Sequence, residues 1–310
     1  MSEIQVIIFS FNRALQLDTL INSMLKHWKS PSFYLDVVYN TTTQDFQKGY
    51  EILIQRMKKY TNIRFHKESK NFPDSVNYFL LLNYFNYLQW RDFPVTRHPK
   101  TNFKSLTINL MKRTDVKLVM FLTDDAMFIN DVEIEGEHIE WLRANPKYAQ
   151  YTLRVGVGMD DKDAHYKNHG HYLSWKFSNE NCNTNWGYRF SVDAHIYDKD
   201  LIIKLFKRNI FVNPNTLEGP VCCDAIRQKW LDNGRGPIKP ALLSFPINMV
   251  QTVIENETLG VSTVLLNNFY LQGYTMTYPI PDTPHHFQQY PKTLLLQKGD
   301  ENVKTIFIVE

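Results

Sequence analysis

Residues 4–13 read Ile-Gln-Val-Ile-Ile-Phe-Ser-Phe-Asn-Arg, an apolar run that ends in polar side chains. A short run of this kind is typical of a strand that is covered on both faces of a sheet. A helical stripe of apolar residues follows it and predicts an amphipathic helix, with members Leu17, Leu20, Ile21, Met24, Leu25 and Trp28. Asn12 is placed to cap that helix.

Strand-like and helix-like segments alternate through the rest of the first half. Further strands are predicted at Tyr34–Tyr39, Ile63–Phe65 and Leu118–Leu122, and further helices around Tyr50–Tyr60, Ser75–Trp90 and Phe103–Lys112. Such alternation predicts an α/β fold with a parallel sheet, right-handed crossovers and helices on both faces. Ligands of these sheets bind beyond the carboxyl ends of the strands. Two of those ends carry polar groups here, at residues 10–13 and 123–125.

The second half has a different pattern. Residues 158–186 are rich in Asp, His, Asn and Gly, which predicts a long loop. We then expect a strand at Tyr188–Tyr197, and helices near Leu201–Arg208, Glu218–Asp232 (ended by Asn233-Gly234) and Val261–Leu271 (closed by Gly273).

The composition of the 310 residues excludes several classes of protein. A net charge of +3 from 35 basic and 32 acidic residues is too balanced to indicate a nucleic-acid partner. No apolar run approaches the ~20 residues of a membrane span, and the first residues do not resemble a signal peptide. Three cysteines, with Cys222 and Cys223 adjacent, cannot form a disulfide framework, so a reducing cytoplasm is the simplest expectation and a packing role for this pair is favoured.

Common catalytic signatures are missing from the sequence. There is no GxGxxG after the first strand and no phosphate loop, which argues against a dinucleotide-binding Rossmann site and a P-loop NTPase. GxSxG and HExxH are also absent, which removes the simplest hydrolase and zincin hypotheses.

The strand at Leu118–Leu122 leads into Thr123, Asp124 and Asp125. Alternation along a strand places Thr123 and Asp125 on one face and Asp124 on the other. An acid at the end of a buried strand is costly unless a positive group meets it. A divalent cation holding a diphosphate would supply that group. The alternative is that the two acids cap the following turn or pair with Arg or Lys.

Together, the opening Ile-Phe-Ser-Phe-Asn-Arg, Leu15, Leu17 and the strand that ends in Asp-Asp resemble a GT-A glycosyltransferase, and more narrowly the bacterial family-2-like sugar transferases. The resemblance covers residues 4–130 well and the remainder loosely. It implies a Rossmann-like sheet, with residues 1–130 as the nucleotide-sugar-binding half and 131–310 as the acceptor-binding half and C-terminal extension of the same domain.

The implied reaction moves a sugar from a nucleotide-diphosphate donor to a hydroxyl of a glycan or lipid-linked glycan. The resemblance also implies inversion at the anomeric carbon, assistance by Mn²⁺ or Mg²⁺, and a role in surface polysaccharide synthesis. Retention stays open, since Asp193 or His195 could serve a different mechanism. The expected location is cytoplasmic, with peripheral contact at the inner face of the membrane as a variant.

On the donor side, the resemblance assigns binding of the nucleotide sugar to three residues after the first strand, Ser10, Asn12 and Arg13. It assigns the same role to Lys104, in the helix before the acidic strand, and to Thr123 and Asp124 at the end of that strand. It assigns metal binding to Asp125, with His195 and His285 as further ligands. Thr123 departs from the family's pattern because it replaces the first acid of the D-x-D motif. A hydroxyl there supplies no charge, which puts tight metal binding in doubt.

On the acceptor side, the resemblance assigns stacking and hydrogen bonding to Trp186, Tyr188 and Arg189; a core strand with a buried Trp is the alternative. Glu218 is the closest match to the catalytic base, with Asp224 in reserve and Asp193 third. Glu218 as a first-turn acid stabilised by the helix dipole is the alternative for that residue.

Two further questions stay open at this point. His165, His169 and His171 fit a zinc site or, more favourably, an acceptor loop, because no fourth ligand is evident. A sugar-nucleotide pyrophosphorylase and a non-catalytic carbohydrate- or nucleotide-binding protein are the rival functions. The missing glycine-rich loop argues against the first, and Thr123 favours the second.

Overall fold

The computed structural model describes residues 3–69, 101–159, 165–177, 184–250 and 258–299, and the backbone of 304–307. The helix expected around Ser75–Trp90 lies outside the described residues.

The elements of the first half, in chain order, are β1 (Ile4–Phe11), α1 (Ala14–His27), β2 (Trp28–Ser30), β3 (Phe33–Asn40), α2 (Gln44–Met57), β4 (Ile63–Lys67), α3 (Phe103–Lys112), β5 (Leu118–Thr123), β6 (Ala126–Phe128), β7 (Val132–Glu133), α4 (Gly136–Ala144) and β8 (Ala149–Thr152). The strands and helices predicted in the described part of this half are confirmed, α3 to the residue.

The elements of the second half are β9 (Tyr166–Asn168), β10 (Tyr172–Lys176), β11 (His195–Asp198), α5 (Lys199–Arg208), α6 (Pro214–Gln228), β12 (Asn233–Pro237), β13 (Leu242–Ser244), α7 (Thr263–Leu271), β14 (Thr275–Thr277), β15 (Thr293–Gln297) and β16 (Lys304–Phe307).

The central sheet has nine strands in the order β4-β3-β1-β5-β11-β8-β12-β10-β9. Strands β4, β3, β1 and β5 are parallel, as predicted. Strand β11 runs antiparallel to both β5 and β8, so the sheet as a whole is mixed. Strand β8 therefore runs in the same direction as β1 and β5, and the carboxyl ends of these three strands lie at one edge of the sheet.

Helices cover both faces of the sheet, which confirms the predicted α/β fold. Side chains alternate along β1: Ile4, Val6 and Ile8 pack with α1, α2 and α7 in one core, and Ile7 and Phe9 pack with α3, α5 and α6 in the other. A strand with two apolar faces therefore does hold the layers together.

Three local predictions were wrong. Residues 158–186 contain the hairpin of β9 and β10, whose short alternating strands were hidden by polar composition. The strand predicted from Tyr188 begins only at His195, because Ala194 adopts a positive φ of 60°. Helix α6 starts before Glu218, since Asn213 makes a capping box and Pro214 occupies the first turn, and it ends where Lys229 turns left-handed.

Asn12 does not cap α1 either. It has a positive φ of 58°, and its side-chain amide exchanges hydrogen bonds with Thr42 Oγ1 and the Thr42 amide, both at 2.9 Å. Arg13 occupies the N-cap position without a side-chain cap. The left-handed turn at Asn12 connects the end of β1 to Arg13 at the start of α1.

Candidate active site

The end of β1 meets the turn after β5 through Asp124, which is 3% exposed. Asp124 Oδ1 accepts from Arg13 Nη1 at 2.8 Å, and Oδ2 accepts from Ser10 Oγ at 2.7 Å and from the Phe11 amide at 3.0 Å. Both carboxylate oxygens are therefore occupied by protein donors. For Asp124, the alternative of pairing with an arginine is the one that the structure shows.

Arg13 is equally occupied. Besides Asp124, its guanidinium donates from Nε to Asn248 Oδ1 at 2.7 Å and from Nη2 to the Asn248 carbonyl. Only 8% of the residue is exposed. All three guanidinium nitrogens thus bind the protein, and Arg13 joins the two halves of the chain instead of offering a free edge to a donor.

Asp125 lies on the other side of the turn and is partly exposed. Its Oδ1 lies 2.8 Å from Thr123 Oγ1, and its Oδ2 lies 3.6 Å from Arg13 Nη1. Thr123 and Asp125 therefore share one face, as alternation predicted, while Asp124 is turned away. Unlike Asp124, Asp125 has an exposed side-chain fraction of 17%, enough for contact with a ligand.

Thr123 connects Asp125 to Asp193, which precedes β11. Its Oγ1 lies 3.1 Å from Asp193 Oδ1, and Arg154 Nη1 lies 3.3 Å from Asp193 Oδ2. Burial raises the pKa of Asp193, the negative charge of Asp125 adds to that rise, and Arg154 opposes it. Two partly exposed carboxylates are thus held close together by one hydroxyl.

Glu218 completes the cluster from α6. Its Oε1 accepts from Ser191 Oγ at 2.9 Å and from the Val192 amide at 2.7 Å. Burial, followed by repulsion from Asp193, raises the pKa of Glu218 to about 7. A carboxyl group with that pKa exchanges its proton near neutral pH, which is what a general base requires.

One continuous set of polar contacts runs across this edge of the sheet, in the order Asp124, Arg13, Asp125, Thr123, Asp193, Arg154, Ser191 and Glu218. Four acids face two arginines, so the cluster carries excess negative charge when all four are ionised. The partly exposed members of the cluster are Thr123, Asp125, Asp193 and Glu218.

Two predicted residues lie away from this cluster. Lys104 Nζ donates to the Asn209 carbonyl at 2.7 Å and lies over the Phe211 ring. Asp224 is buried and binds Arg208 Nε at 2.8 Å, which holds it in an ion pair between α5 and α6. Burial alone would raise the pKa of Asp224, but the ion pair with Arg208 and a hydrogen bond from Asn209 lower it below the usual value. A general base that works near neutral pH needs a raised pKa instead.

The predicted acceptor residues separate into two groups. Trp186 is 2% exposed, stacks on Tyr166 and donates from Nε1 to the Met159 carbonyl, so it is the buried Trp of the alternative interpretation. Arg189 is also buried and binds the carbonyls of Trp230 and Phe177. Tyr188 is partly exposed beside the acids: burial and the charge of Glu218 raise the pKa of its hydroxyl.

The histidines predicted as metal ligands are not brought to Asp125. His195 is fully buried, its Nδ1 lies 2.7 Å from Gln150 Oε1, and burial lowers its pKa well below the usual value. His285 is exposed, with Nδ1 3.3 Å from the Gly158 carbonyl.

In the described part of the chain, three ligand atoms within 4.8 Å of one another occur only at Glu135, Glu137 and His171, all of them exposed. His169, from the zinc hypothesis, instead contacts Ser174 Oγ at 2.8 Å. Neither the predicted set around Asp125 nor the three loop histidines form such a group among these residues.

Arg154, Ser191 and Asn248 were missed by the sequence analysis. Arg154 follows β8 by two positions, and β8 ends at the same edge as β1 and β5. The rule that polar groups matter at strand ends would have found it, had residues 149–152 been recognised as a strand. Ser191 and Asn248 lie in irregular segments and carry no such signal.

The chain is similar in sequence to a curated protein, the bifunctional glycosyltransferase pgtA of Dictyostelium discoideum, at 22% identity over 246 residues. The alignment covers 69% of this chain and 27% of the relative, so the chain spans about a quarter of that protein's length. No family model matches. The stated resemblance to glycosyltransferases is confirmed by this relative.

Solved structures with partial similarity include S. aureus TarS, with 12% identity, a TM-score of 0.44, and coverage of 80% of this chain and 37% of that one. A TarS fragment, residues 1–349 in complex with UDP, gives 14%, 0.42, and 77% and 58%. Mouse xyloside xylosyltransferase 1 gives 10%, 0.37, and 74% and 82%. In the described residues, no helix has the length and apolar character of a membrane span.

Proposed function

We propose that the chain is a nucleotide-sugar-dependent glycosyltransferase whose active site is the cluster of Asp125, Asp193 and Glu218. The single observation that carries the proposal is the environment of Glu218. Its pKa of about 7 and its connection through Ser191 and Arg154 to Asp193 suit a group that removes a proton from an acceptor hydroxyl. The glycosyltransferase relative supports the reaction class.

In this proposal Glu218 is the base. The amide of Val192 and the hydroxyl of Ser191 hold its Oε1, which fixes the direction of the carboxylate. The acceptor hydroxyl would lose its proton to Glu218 while the oxygen forms a bond to the anomeric carbon and the donor diphosphate leaves with the electron pair. Attack from the face opposite the leaving group gives inversion, which stays part of the proposal.

A divalent ion fits the residues that are present. Asp124 is excluded as a ligand because both of its oxygens are occupied and buried. Asp125 and Asp193 each present a partly exposed carboxylate beside Thr123, and hard cations such as Mg²⁺ and Mn²⁺ prefer one or two such ligands plus phosphate oxygens. When bound there, the ion would offset negative charge on the leaving diphosphate.

The remaining assignments extend the proposal. A glycan or lipid-linked glycan as acceptor, a role in surface polysaccharide synthesis, a cytoplasmic location and peripheral membrane contact stay predictions. The division at residue 130 into donor and acceptor halves also stays a prediction. At the end of β1 we propose that Ser10 and Asn12 line the donor site through their backbone and the turn that they form. The Arg13 guanidinium is bound to Asp124 and Asn248 and does not contact the donor in this proposal.

The test is transfer with UDP-, GDP- and dTDP-sugars, each with Mn²⁺, Mg²⁺ or EDTA, and with calorimetric binding of the same nucleotides. We expect one donor class to bind and to be consumed by the wild type, and Glu218→Gln to bind it without turnover. Asp224→Asn is a matched control, because it changes a nearby acid on the same helix. Turnover by Glu218→Gln equal to that of the wild type would contradict the proposal.

A non-catalytic nucleotide- or carbohydrate-binding protein is the second candidate. The observation in its favour is that Thr123 and the occupied Asp124 reduce the usual acidic motif to the single acid Asp125. Binding of a nucleotide sugar with no consumption across a panel of acceptors would support this candidate against the first.

A further inference from the structure

We propose that Arg154 is an oxyanion-binding residue, and that the Nε–Nη2 edge of its guanidinium receives a phosphate or carboxylate group of the substrate. The inference deepens the proposed function, on which it rests only for the identity of the anion. Binding can be measured without turnover, so the two can fail separately.

Arg154 is enclosed but only partly satisfied. The residue is 5% exposed, and Nη1 lies 3.0 Å from Ser191 Oγ and 3.3 Å from Asp193 Oδ2. Its Nε is buried without a hydrogen-bond partner. The hydrogen bonds that the guanidinium makes to described residues both come from Nη1. An arginine stays charged at any ordinary pH, so an unfilled buried donor is an energetic defect that a ligand can remove.

The unfilled atoms form a defined shape. Nε–H and one Nη2–H point in parallel along the same side of the planar guanidinium, and this edge matches the two oxygens of a carboxylate or phosphate. The Arg154 Cζ also lies over the Phe287 ring, 5.2 Å from its centroid. Nη1 is anchored to Ser191 and Asp193, so the orientation of the edge is fixed before a ligand arrives.

Arg13, the other arginine of the cluster, is occupied, because all three of its guanidinium nitrogens bind Asp124 or Asn248. Arg154 is the arginine that contacts both Asp193 and the Ser191 that holds Glu218. An anion bound to its unsatisfied Nε–Nη2 edge would therefore lie beside the proposed reacting groups.

The anion has two sources with one chemistry. It is either the diphosphate of the donor or an acidic group on the acceptor sugar. The probes are inorganic pyrophosphate and UDP for the first source, and glucuronate and glycerol 1-phosphate for the second. Uridine, which lacks the phosphates, is the control ligand for the donor arm.

We expect the wild type to bind at least one probe, and Arg154→Met and Arg154→Lys to bind it about 10- to 100-fold more weakly, the range for a charge-assisted bidentate contact. Lysine keeps the charge but cannot form two parallel bonds. Arg143→Met, an arginine on α4 with a side chain 38% exposed, is the matched control and should bind like the wild type. Loss for pyrophosphate and UDP assigns the donor; loss for glucuronate or glycerol phosphate alone assigns the acceptor.

Three results overturn the inference: no probe binds the wild type, both Arg154 variants bind as tightly as the wild type, or Arg154→Lys alone restores full affinity. Circular dichroism and melting show whether the variants are folded. If neither variant folds, the arginine Nε–H signals of the wild type decide by NMR. One of them must move when pyrophosphate or the acidic sugar probe is added, and an unchanged set of signals overturns the inference.

Discussion

Asp124 and Asp125 are neighbours in sequence, and the structure predicts that Asp124→Asn destabilises the fold while Asp125→Asn does not. Asp124 accepts three hydrogen bonds and balances Arg13, which is 8% exposed. Removing one partner of a buried pair typically costs about 3–5 kcal/mol. Because Asp125 lies 3.6 Å from the same guanidinium and can take over in part, we expect the lower end, about 3 kcal/mol.

The measurement is thermal or urea unfolding followed by circular dichroism. For 310 residues the entropy of unfolding is about 0.65 kcal/mol/K, so a loss of about 3 kcal/mol lowers the melting temperature by about 5 °C. Asp125→Asn, whose acid is partly exposed, should lose less than about 1 kcal/mol. The reasoning is refuted if Asp124→Asn melts with the wild type, or if the Asp125 variant loses as much stability as the Asp124 variant.

Three further predictions concern the cluster and the sheet. Asp125→Ala should abolish transfer while leaving the fold intact, as measured by donor consumption and circular dichroism; turnover like that of the wild type would end the metal proposal. Transfer should rise with pH through about 7 as Glu218 loses its proton, and a flat profile across that range would exclude it as the base. Gly234→Ala would place a Cβ 2.3 Å from Trp175 Cε2, so unfolding should show a loss of about 1–3 kcal/mol, whereas Gly136→Ala, with nothing within 4 Å, should show little.

Glu218 also affects how stability depends on pH. Its pKa in the folded chain is raised to about 7, so between the usual carboxyl value and that pH the folded state binds more protons than the unfolded state. Stability from this group is full at low pH and declines as the pH rises to about 7. Glu218→Gln should therefore be more stable than the wild type at pH 8, with the difference vanishing near pH 4; a gain that is independent of pH would contradict this.

The layers of the fold were predictable from the sequence because they depend on apolar spacing. Helix α3 and strand β5 were predicted almost to the residue, since each has a buried stripe and a clear polar boundary. The hairpin of β9 and β10 was missed because β9 is a three-residue edge strand with little burial, and β10 shows its alternation at only two residues, Leu173 and Trp175, within a polar segment.

The site was predictable only in outline. The acids at the end of β5 were proposed from their position at a strand end, and Glu218 from the resemblance to glycosyltransferases. The different environments of Asp124 and Asp125 were not, because they depend on the left-handed turn at Asn12, which brings Arg13 to one acid more closely than to the other. Arg154 depends on contacts between segments far apart in the chain.

The Thr123 hydroxyl limits how many acid oxygens at this edge of the sheet can accept a hydrogen bond at the same time. It carries one hydrogen but faces two acid oxygens, at 2.8 and 3.1 Å. The hydroxyl can donate this hydrogen to only one of the two carboxylates at a time. When both acids are ionised, the other carboxylate therefore lacks a hydrogen bond from Thr123. A proton on Asp193, whose pKa is raised by burial, would let that acid donate to the Thr123 oxygen while the threonine hydrogen goes to Asp125. A third carboxylate in place of this threonine would have added charge without supplying the joining hydrogen.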